Sequence, residues 1–199
     1  MTADYNVSKL VNYSLRPILL SALAVLTLLF WSGCKKYSTA PIDQPPPPPA
    51  SSDTLRLSNA SGARGAIGVL VQVNLHNVET IGGVALRIAY DSSVLQPSAT
   101  PYSQPPRASS LENYSGYFDV PGLITFLMIS LNNPPGKIQI GDGPILELYF
   151  DVKLTAPSGT TSLIFADDPG TPVQDNQLSD TTGTKLILPQ LVNGTFTVQ

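Results

Sequence analysis

Cysteine, histidine and tryptophan each occur once in the 199-residue chain, and charged residues make up only 13% of it. A single cysteine cannot form an intrachain disulfide, so the fold must be held by its core alone. One histidine, His76, and one cysteine cannot supply a His/Cys metal site or a histidine-based catalytic triad. The composition therefore argues against an enzyme, and we expect neither a metal nor a cofactor.

Glycine-rich phosphate loops and the spacing of an EF-hand are also missing from the sequence. Acidic residues gather in Asp167–Asp180, a stretch rich in Gly, Pro, Ser and Thr, where carboxylates usually form turns. A weak calcium site in this loop stays open as an alternative. The formal net charge of −3 offers no basic face for phosphates, so we do not expect nucleic acid as a partner.

Residues 1–33 have the pattern of a bacterial signal peptide. Lys9 and Arg16 precede or adjoin an apolar run, Pro17–Trp31, which is shorter than the roughly twenty residues of a membrane-spanning helix. The run ends in Ser32-Gly33-Cys34, which resembles the lipobox of bacterial lipoproteins, although Trp31 stands where that motif usually has leucine. The resemblance implies that Cys34 is lipidated. The alternative is an uncleaved signal anchor.

The segment 34–53 has the composition of a tether. Lys35 follows Cys34 where an aspartate would retain a lipoprotein in the inner membrane, so we expect attachment to the outer membrane or the cell surface of a bacterium. Pro45–Pro49 favours polyproline II, which makes a stiff spacer of about 3 Å per residue. We therefore expect a lipidated Pro-rich stalk that holds a folded domain, residues 54–199, away from the membrane.

Residues 54–199 contain about nine short segments that read as β-strands between turns rich in Gly and Pro. The segments are Thr54–Ser58, Ile67–Val78, Gly83–Tyr90, Tyr117–Val120, Leu123–Leu131, Ile145–Leu154, Thr161–Phe165, Leu186–Leu188 and Val192–Val198. In several of them apolar residues recur at every second position, which is typical of half-buried strands. No window has a helical period, and no βαβ alternation occurs. The pattern predicts an all-β sandwich.

One segment departs from this alternation. In Leu123–Leu131, Ile124, Phe126 and Met128 lie on the face opposite Leu127, Ile129 and Leu131. A strand that is apolar on both faces is either covered on both sides or presents an apolar stripe to a partner. Both interpretations remain open at this point.

Three stretches in order along the chain resemble the cohesin family. Ile67–Leu95 contains VNLHNV, IGG and YDSSVL around two alternating strands, Gly141–Phe150 contains GDG followed by a strand, and Val192–Val198 resembles the closing strand. The resemblance covers roughly residues 54–199. It implies a nine-stranded β-sandwich with jelly-roll topology that binds dockerin domains without catalysis, in the context of polysaccharide degradation.

The same resemblance implies a set of partner-binding residues. It assigns Gly83, Ala85 and Arg87 on one strand and Met128 and Leu131 on another to the face that meets a dockerin. Cohesins have polar residues at the positions that align with Gly83 and Ala85. The resemblance therefore carries over the fold better than it carries over the choice of partner.

Two other classes of function remain as alternatives. A carbohydrate-binding module has a similar jelly roll, but it usually needs exposed aromatic side chains. The tyrosines available for that role are Tyr102, Tyr114, Tyr117 and Tyr149, because the single tryptophan, Trp31, lies in the signal segment. The remaining alternative is a structural or adhesion domain of a surface lipoprotein.

Overall fold

The computed structural model describes residues 53–170 and 174–199. The predicted signal peptide, the lipidation site Cys34 and the Pro-rich tether up to residue 52 lie outside the described residues. Asp53, at the end of the predicted tether, is fully buried, and its carboxylate accepts a hydrogen bond from the backbone N–H of Val78. Asp53 is therefore a part of the folded domain.

The described residues form an all-β domain, as the alternating segments predict. Within residues 53–170 and 174–199 there is no α-helix, and hence none that could cross a membrane. A 3₁₀ turn spans Pro106–Ala108. The strands are β1 Thr54–Leu57, β2 Ala60–Gly62, β3 Val69–Asn77, β4 Gly83–Ala89, β5 Leu95–Ser103, β6 Asn113–Tyr117, β7 Leu123–Ile129, β8 Gly141–Val152, β9 Gly159–Phe165, β10 Gln177–Ser179, β11 Leu186–Ile187, β12 Gln190–Val192 and β13 Gly194–Val198.

The strands form two sheets that pack face to face. One sheet has the order β12-β1-β3-β8-β5. In the other, β4 pairs with β7 along its whole length, and β7 pairs with β6. The opposite side of β4 pairs first with β10 and then with β9, which continues through β13 to β2. The pairs β1–β12 and β2–β13 are parallel. The sandwich prediction is confirmed, although the described residues form thirteen strands, several of them short, rather than the expected nine.

The core lies between the sheets and follows the predicted alternation. In β3, Val71, Val73 and Leu75 are buried, and in β4 the buried residues are Val84, Leu86 and Ile88. Leu146, Leu148, Phe150 and Val152 line the same core from β8. Fully burying such side chains stabilises a domain by about 1.5–3 kcal/mol each. Hydrophobic alternation is therefore enough to place most of the core.

Several strands lie where turn residues predicted loops. The stretch 96–107 lies outside the nine predicted strands, but it contains most of β5, which pairs with the edge of β8. Its register shifts between Pro97 and Tyr102. Proline lacks an N–H group, and an edge strand with such an irregularity can accommodate it. β6 ends at Tyr117, so the predicted strand Tyr117–Val120 was placed too far along the chain. β10 lies within Asp167–Asp180, where the sequence predicted turns.

The glycines of the GDG motif at the start of β8 have a local conformational reason. Gly141 and Gly143 have φ values of +145° and +148°, a region that residues with a Cβ rarely occupy. The guanidinium of Arg107 lies against Gly141, and its aliphatic stem lies against Gly143, with the nearest atoms 3.6 and 3.4 Å from where a Cβ would stand. Both are ordinary van der Waals distances, so the backbone conformation, and not the packing of Arg107, favours glycine at these two positions.

Candidate functional site

The outer face of the sheet that contains β4 and β7 is mostly apolar. Alternation turns Gly83, Ala85, Arg87 and Ala89 outward from β4, since Val84, Leu86 and Ile88 are buried. Across the strand pair, Ala85 lies opposite Leu127 and Arg87 lies opposite Thr125. Ser115 and Tyr117 of β6 continue these two rows. Arg87 is the only charged residue that the strands β4, β6 and β7 contribute to this face.

Met128 does not lie on this face, so its predicted outward orientation is wrong. The side chain is fully buried, and its cross-strand neighbours are Val84 and Tyr114. Ile124, Phe126 and Met128 form the buried face of β7, so the alternating residue Leu127 lies on the outer face with 38% exposure. A shift of one residue in a strand exchanges its two faces, and the family alignment had selected the wrong one.

Leu131 is exposed just beyond the end of β7, as its predicted role in binding requires. Its side chain is 73% exposed, and its backbone N–H donates to the carboxylate of Glu112. The same carboxylate oxygen accepts from the N–H of Asn132 at 2.8 Å. The pKa of Glu112 is lowered, first by its own backbone N–H and further by these hydrogen bonds from Leu131 and Asn132. The turn therefore holds Leu131 at the border of the face.

Gly83 and Ala85 form the lowest part of the face. A Cβ on Gly83 would stand 2.6 Å from Ser179 Oγ of β10, so any side chain here would require Ser179 to rotate away. Ala85 is half-buried between Leu127 and Gln177, its partners on the two adjacent strands. The result is a shallow, open depression in this face.

Arg87 is held by two carboxylates from the segment between β9 and β10. Its Nη1 lies 3.2 Å from Asp168 Oδ2 and 3.1 Å from Asp175 Oδ2. The pKa of Asp168 is lowered, first by the backbone N–H of Gly170 and then by the guanidinium. Hydrogen bonding to Asp168 is the largest cause that raises the pKa of Arg87. The arginine is thus preorganised rather than free to move over the face.

A buried asparagine connects this segment to β4. Asn176 is fully buried and accepts the backbone N–H of Arg87 at 2.8 Å. Its amide donates to the carbonyl of Ala166 at 2.7 Å, and the N–H of Ala166 donates to the carbonyl of Arg87. Asn176 therefore completes the backbone hydrogen bonding of β4 where its neighbour changes from β10 to β9.

These partners of Arg87 were not among the predicted site residues. The acidic residues of Asp167–Asp180 were noted only as turn formers or weak calcium ligands. In the described part of the chain, no three His, Cys, Asp or Glu side chains are grouped so that they could hold a metal ion. Asp168 and Asp175 face Arg87 instead, an arrangement for which the sequence carries no signal because the residues are far apart along the chain.

The comparisons with known proteins agree with this architecture. The family model described as "Cohesin domain" matches residues 54–188, more than half of the chain. The chain belongs to the cohesin family. Among curated proteins, none matches the sequence significantly.

Solved cohesins share the fold of this cohesin domain at low sequence identity. A type I cohesin of Pseudobacteroides cellulosolvens is 20% identical, with a TM-score of 0.61 over 74% of this chain and 92% of that chain. A chain of a type I cohesin–dockerin complex from Clostridium thermocellum is 18% identical, with a TM-score of 0.63 over 74% of this chain and 99% of that chain. A non-cellulosomal cohesin from the archaeon Archaeoglobus fulgidus is 21% identical, with a TM-score of 0.55 over 75% of this chain and 92% of that chain.

The tyrosines considered for sugar binding do not form one exposed platform in this cohesin domain. Tyr102 and Tyr114 pack with Phe118 and Phe126 in an aromatic cluster with centroid distances of 4.8 to 5.9 Å. Burial raises the pKa of the Tyr114 hydroxyl, which donates to the carbonyl of Ile145 at 2.9 Å. These two rings are partly buried and pack against the core, where they support β6 and β7 from the inside.

The two other tyrosines lie on different sheets. Tyr117 is 65% exposed at the end of β6. Tyr149 lies half-buried on β8, where its hydroxyl is 3.1 Å from both Ser103 Oγ and Glu147 Oε2. Stacking on a sugar ring requires an exposed aromatic face, and Tyr117 alone offers one among these four.

Proposed function

We propose that this cohesin domain is a non-catalytic protein-recognition module that binds a dockerin-type domain through the outer face of β4 and β7. The proposal depends on one observation above all: within the described residues, this face is apolar at Ala85 and Leu127 and nothing packs over it. An exposed apolar patch with a polar rim is the usual sign of a binding surface. Solved cohesin–dockerin complexes among the structural neighbours support the class of partner.

The proposed roles follow from the geometry of the face. Leu127 and Leu131 supply apolar contact area, and Gly83 and Ala85 let the backbone of a partner approach the sheet. Arg87, fixed by its two carboxylates, is placed to donate to an acceptor on the partner through the atoms that the ion pairs leave accessible. Aromatic, arginine and desolvated apolar anchors dominate most interfaces. Met128 acts from beneath, as a core residue that keeps β7 in register.

We further propose that the domain is presented on the bacterial cell surface or outer membrane. The support for this part is the lipobox-like Ser32-Gly33-Cys34 and the Pro-rich segment that follows it. A lipid on Cys34 would attach the chain to the membrane, and the stiff spacer would hold the binding face clear of it. A dockerin-bearing partner would then be retained at the cell surface.

The test is a binding measurement on the full chain in detergent micelles against a panel of purified dockerin domains. We expect at least one dockerin to bind. Leu127→Asp should weaken that binding about 30-fold or more, because it places a charge at the centre of the apolar face. The matched control is Ser162→Asp, since Ser162 is also exposed and faces outward on the same sheet, from β9.

The melting temperature of both variants is measured alongside the affinity. An unchanged melting temperature with lost binding in Leu127→Asp alone supports the assignment of the face. Equal binding by wild type and Leu127→Asp would show that a dockerin docks elsewhere. Failure to bind any dockerin, together with retention on a polysaccharide affinity gel, would refute the proposed function and favour a carbohydrate-binding module.

A further inference from the structure

A groove lies on the other sheet, on the outer side of β3, β8 and β5. It has an open volume of about 700 Å³. The half-buried ring of Tyr149 on β8 forms its floor, Ile67 and Gly68 form one wall just before β3, and residues 98–100 of β5 form the other wall. The groove shares no residue with the depression in the face of β4 and β7. The two surfaces are therefore independent of each other.

The inside of the groove is mostly apolar. Ile67 is 82% exposed on one wall, and the ring of Tyr149 and the methyl group of Ala99 add further apolar surface. An aliphatic side chain that entered the groove would remove apolar surface from water on both molecules. The lining therefore favours an aliphatic side chain at the centre of the site.

A carboxylate stands at each end of the groove. Ser103 lines one end and donates to Glu147 at 2.6 Å. Ser98 lines the other end and donates to Asp151, which also accepts the backbone N–H of Gly68 at 2.9 Å. Both carboxylates are thus held in fixed positions by neutral donors.

No salt bridge neutralises these two charges in the part of the chain that the structure describes. The four salt bridges found there involve other acidic residues. The pKa values of Glu147 and Asp151 are both lowered, first by the hydroxyls of Ser103 and Ser98 respectively, and none of the causes is a neighbouring cation. Both groups are ionised at neutral pH. A partner with complementary charge therefore carries a basic group at each end of the groove.

The spacing of these groups matches that of an extended chain. Glu147, Tyr149 and Asp151 are alternate residues of one strand, so each lies roughly 6.6 Å from the next. An extended partner segment presents the side chains of one face at the same period. It can place an aliphatic side chain over Tyr149 and a basic side chain near each carboxylate. The matching sequence pattern is basic-x-aliphatic-x-basic.

The edge strand beside the groove offers backbone groups to such a segment. β5 lies at the edge of its sheet, and its residues 98–101 stand opposite the single residue Tyr149 of β8. One residue cannot pair with four, so β8 leaves backbone groups of this bulge without a ladder partner. An extended chain can form hydrogen bonds with them, whereas a helix uses its own backbone groups internally. This observation favours an extended occupant over a helical one.

We infer that this groove binds an extended basic segment of a partner protein, with one aliphatic side chain in the groove between two lysines or arginines that reach Glu147 and Asp151. The inference goes beyond the proposed function, because the site lies on the other sheet of the sandwich. A domain that uses both surfaces joins two partners, one on each sheet. It then acts as an adaptor and not only as a receptor for a dockerin.

The probe is a fluorescein-labelled peptide of sequence Thr-Lys-Thr-Leu-Thr-Lys-Thr, in which the threonines favour an extended backbone. Its binding to the full chain in non-ionic detergent micelles is measured by fluorescence anisotropy. We expect saturable binding that weakens about tenfold when serine replaces the leucine of the peptide. Glu147→Gln and Asp151→Asn should each weaken binding about threefold, and the double variant should weaken it about tenfold.

The matched control is Asp142→Asn. Asp142 belongs to the same strand, but its carboxylate is paired with Arg56 at 2.8 Å, and the substitution removes the same charge. The affinity for the peptide should therefore stay unchanged. Equal weakening in this variant and in Glu147→Gln would show a general attraction between opposite net charges, and it would overturn the groove. Melting temperatures close to that of wild type show that lost affinity does not come from misfolding.

The remaining outcomes also decide the matter. Absence of binding to wild type, or equal binding of the leucine and serine peptides, overturns the inference. Displacement of the peptide by a soluble polysaccharide would assign the groove to a sugar instead, and a dimer in sedimentation that excludes the peptide would assign it to a second copy of the chain. Dockerin binding is measured on the same variants and should be unchanged. Failure of every dockerin to bind would refute the proposed function and leave the groove intact.

Discussion

The orientation of β7 gives the sharpest prediction about this domain, because Met128 and Leu127 are adjacent in sequence and lie on opposite faces. Met128 is fully buried, and Leu127 is 38% exposed. Truncation of a buried methionine to alanine typically costs 2–5 kcal/mol, since it loses the transfer free energy and leaves a cavity. We expect Met128→Ala to lower the free energy of unfolding by about 3 kcal/mol.

Leu127→Ala should cost much less. Full burial of a leucine side chain stabilises a protein by about 1.5–3 kcal/mol, and a partly exposed one that leaves no enclosed cavity contributes roughly 1 kcal/mol. At about 2–4 °C per kcal/mol for a domain of this size, the melting temperature should fall by roughly 6–12 °C in Met128→Ala and by about 2–4 °C in Leu127→Ala.

The measurement is urea unfolding followed by far-ultraviolet circular dichroism, because the single tryptophan, Trp31, precedes the folded domain. Similar slopes of free energy against urea in both variants would show that the unfolded state is unchanged. If Leu127→Ala proves the more costly substitution, β7 is shifted by one residue and Met128 belongs to the outer face. That outcome would refute the register on which the proposed binding face depends.

Three other predictions concern an ion pair, the lipidation site and the isolated domain. The pKa of Asp168 is lowered in the folded state, so its contribution to stability is complete above the ordinary aspartate pKa of about 4. That contribution is lost as the pH falls through the folded-state pKa. On acidification, the melting temperature of wild type should therefore fall more steeply than that of Asp168→Asn. Cys34→Ala should abolish incorporation of labelled fatty acid, and a mutant that still incorporates the label would contradict lipidation at Cys34. Residues 53–199, which include the buried Asp53, should fold alone with β-type circular dichroism and an unchanged melting temperature in excess chelator. A decrease in melting temperature would instead reveal a bound cation, for which Asp167–Asp180 is the first place to look.

The alternation of apolar residues predicted the core strands well. Val84, Leu86 and Ile88 alternate with small or charged residues, so the pattern alone assigns the buried face of β4. The same holds for Leu146, Leu148, Phe150 and Val152 in β8. A hydrophobic residue at every second position has one energetically acceptable orientation when one face meets the core and the other meets water.

The pattern failed where this contrast is missing. β7 is apolar on both faces, so its sequence is compatible with either parity, and the choice made from the family alignment was wrong for Met128. β5 was missed because Pro97 and Pro101 read as turn formers, although an edge strand with a register shift accommodates them. In both cases the deciding energy lies in pairing with a neighbouring strand, which local sequence does not report.

The sequence by itself determined the fold class and most of the core, because these depend on periodicities that act within single strands. The resemblance to the cohesin family rested instead on motifs in order along the chain. Only the tertiary structure decided which side chains lie on the proposed binding face. It turned Leu127 outward through pairing of β7 with β4, and it brought Asp175 to Arg87 across 88 residues of chain. Contacts between distant segments depend on how the strands are ordered in the sheet, and that order results from the packing of the whole domain rather than from any one segment.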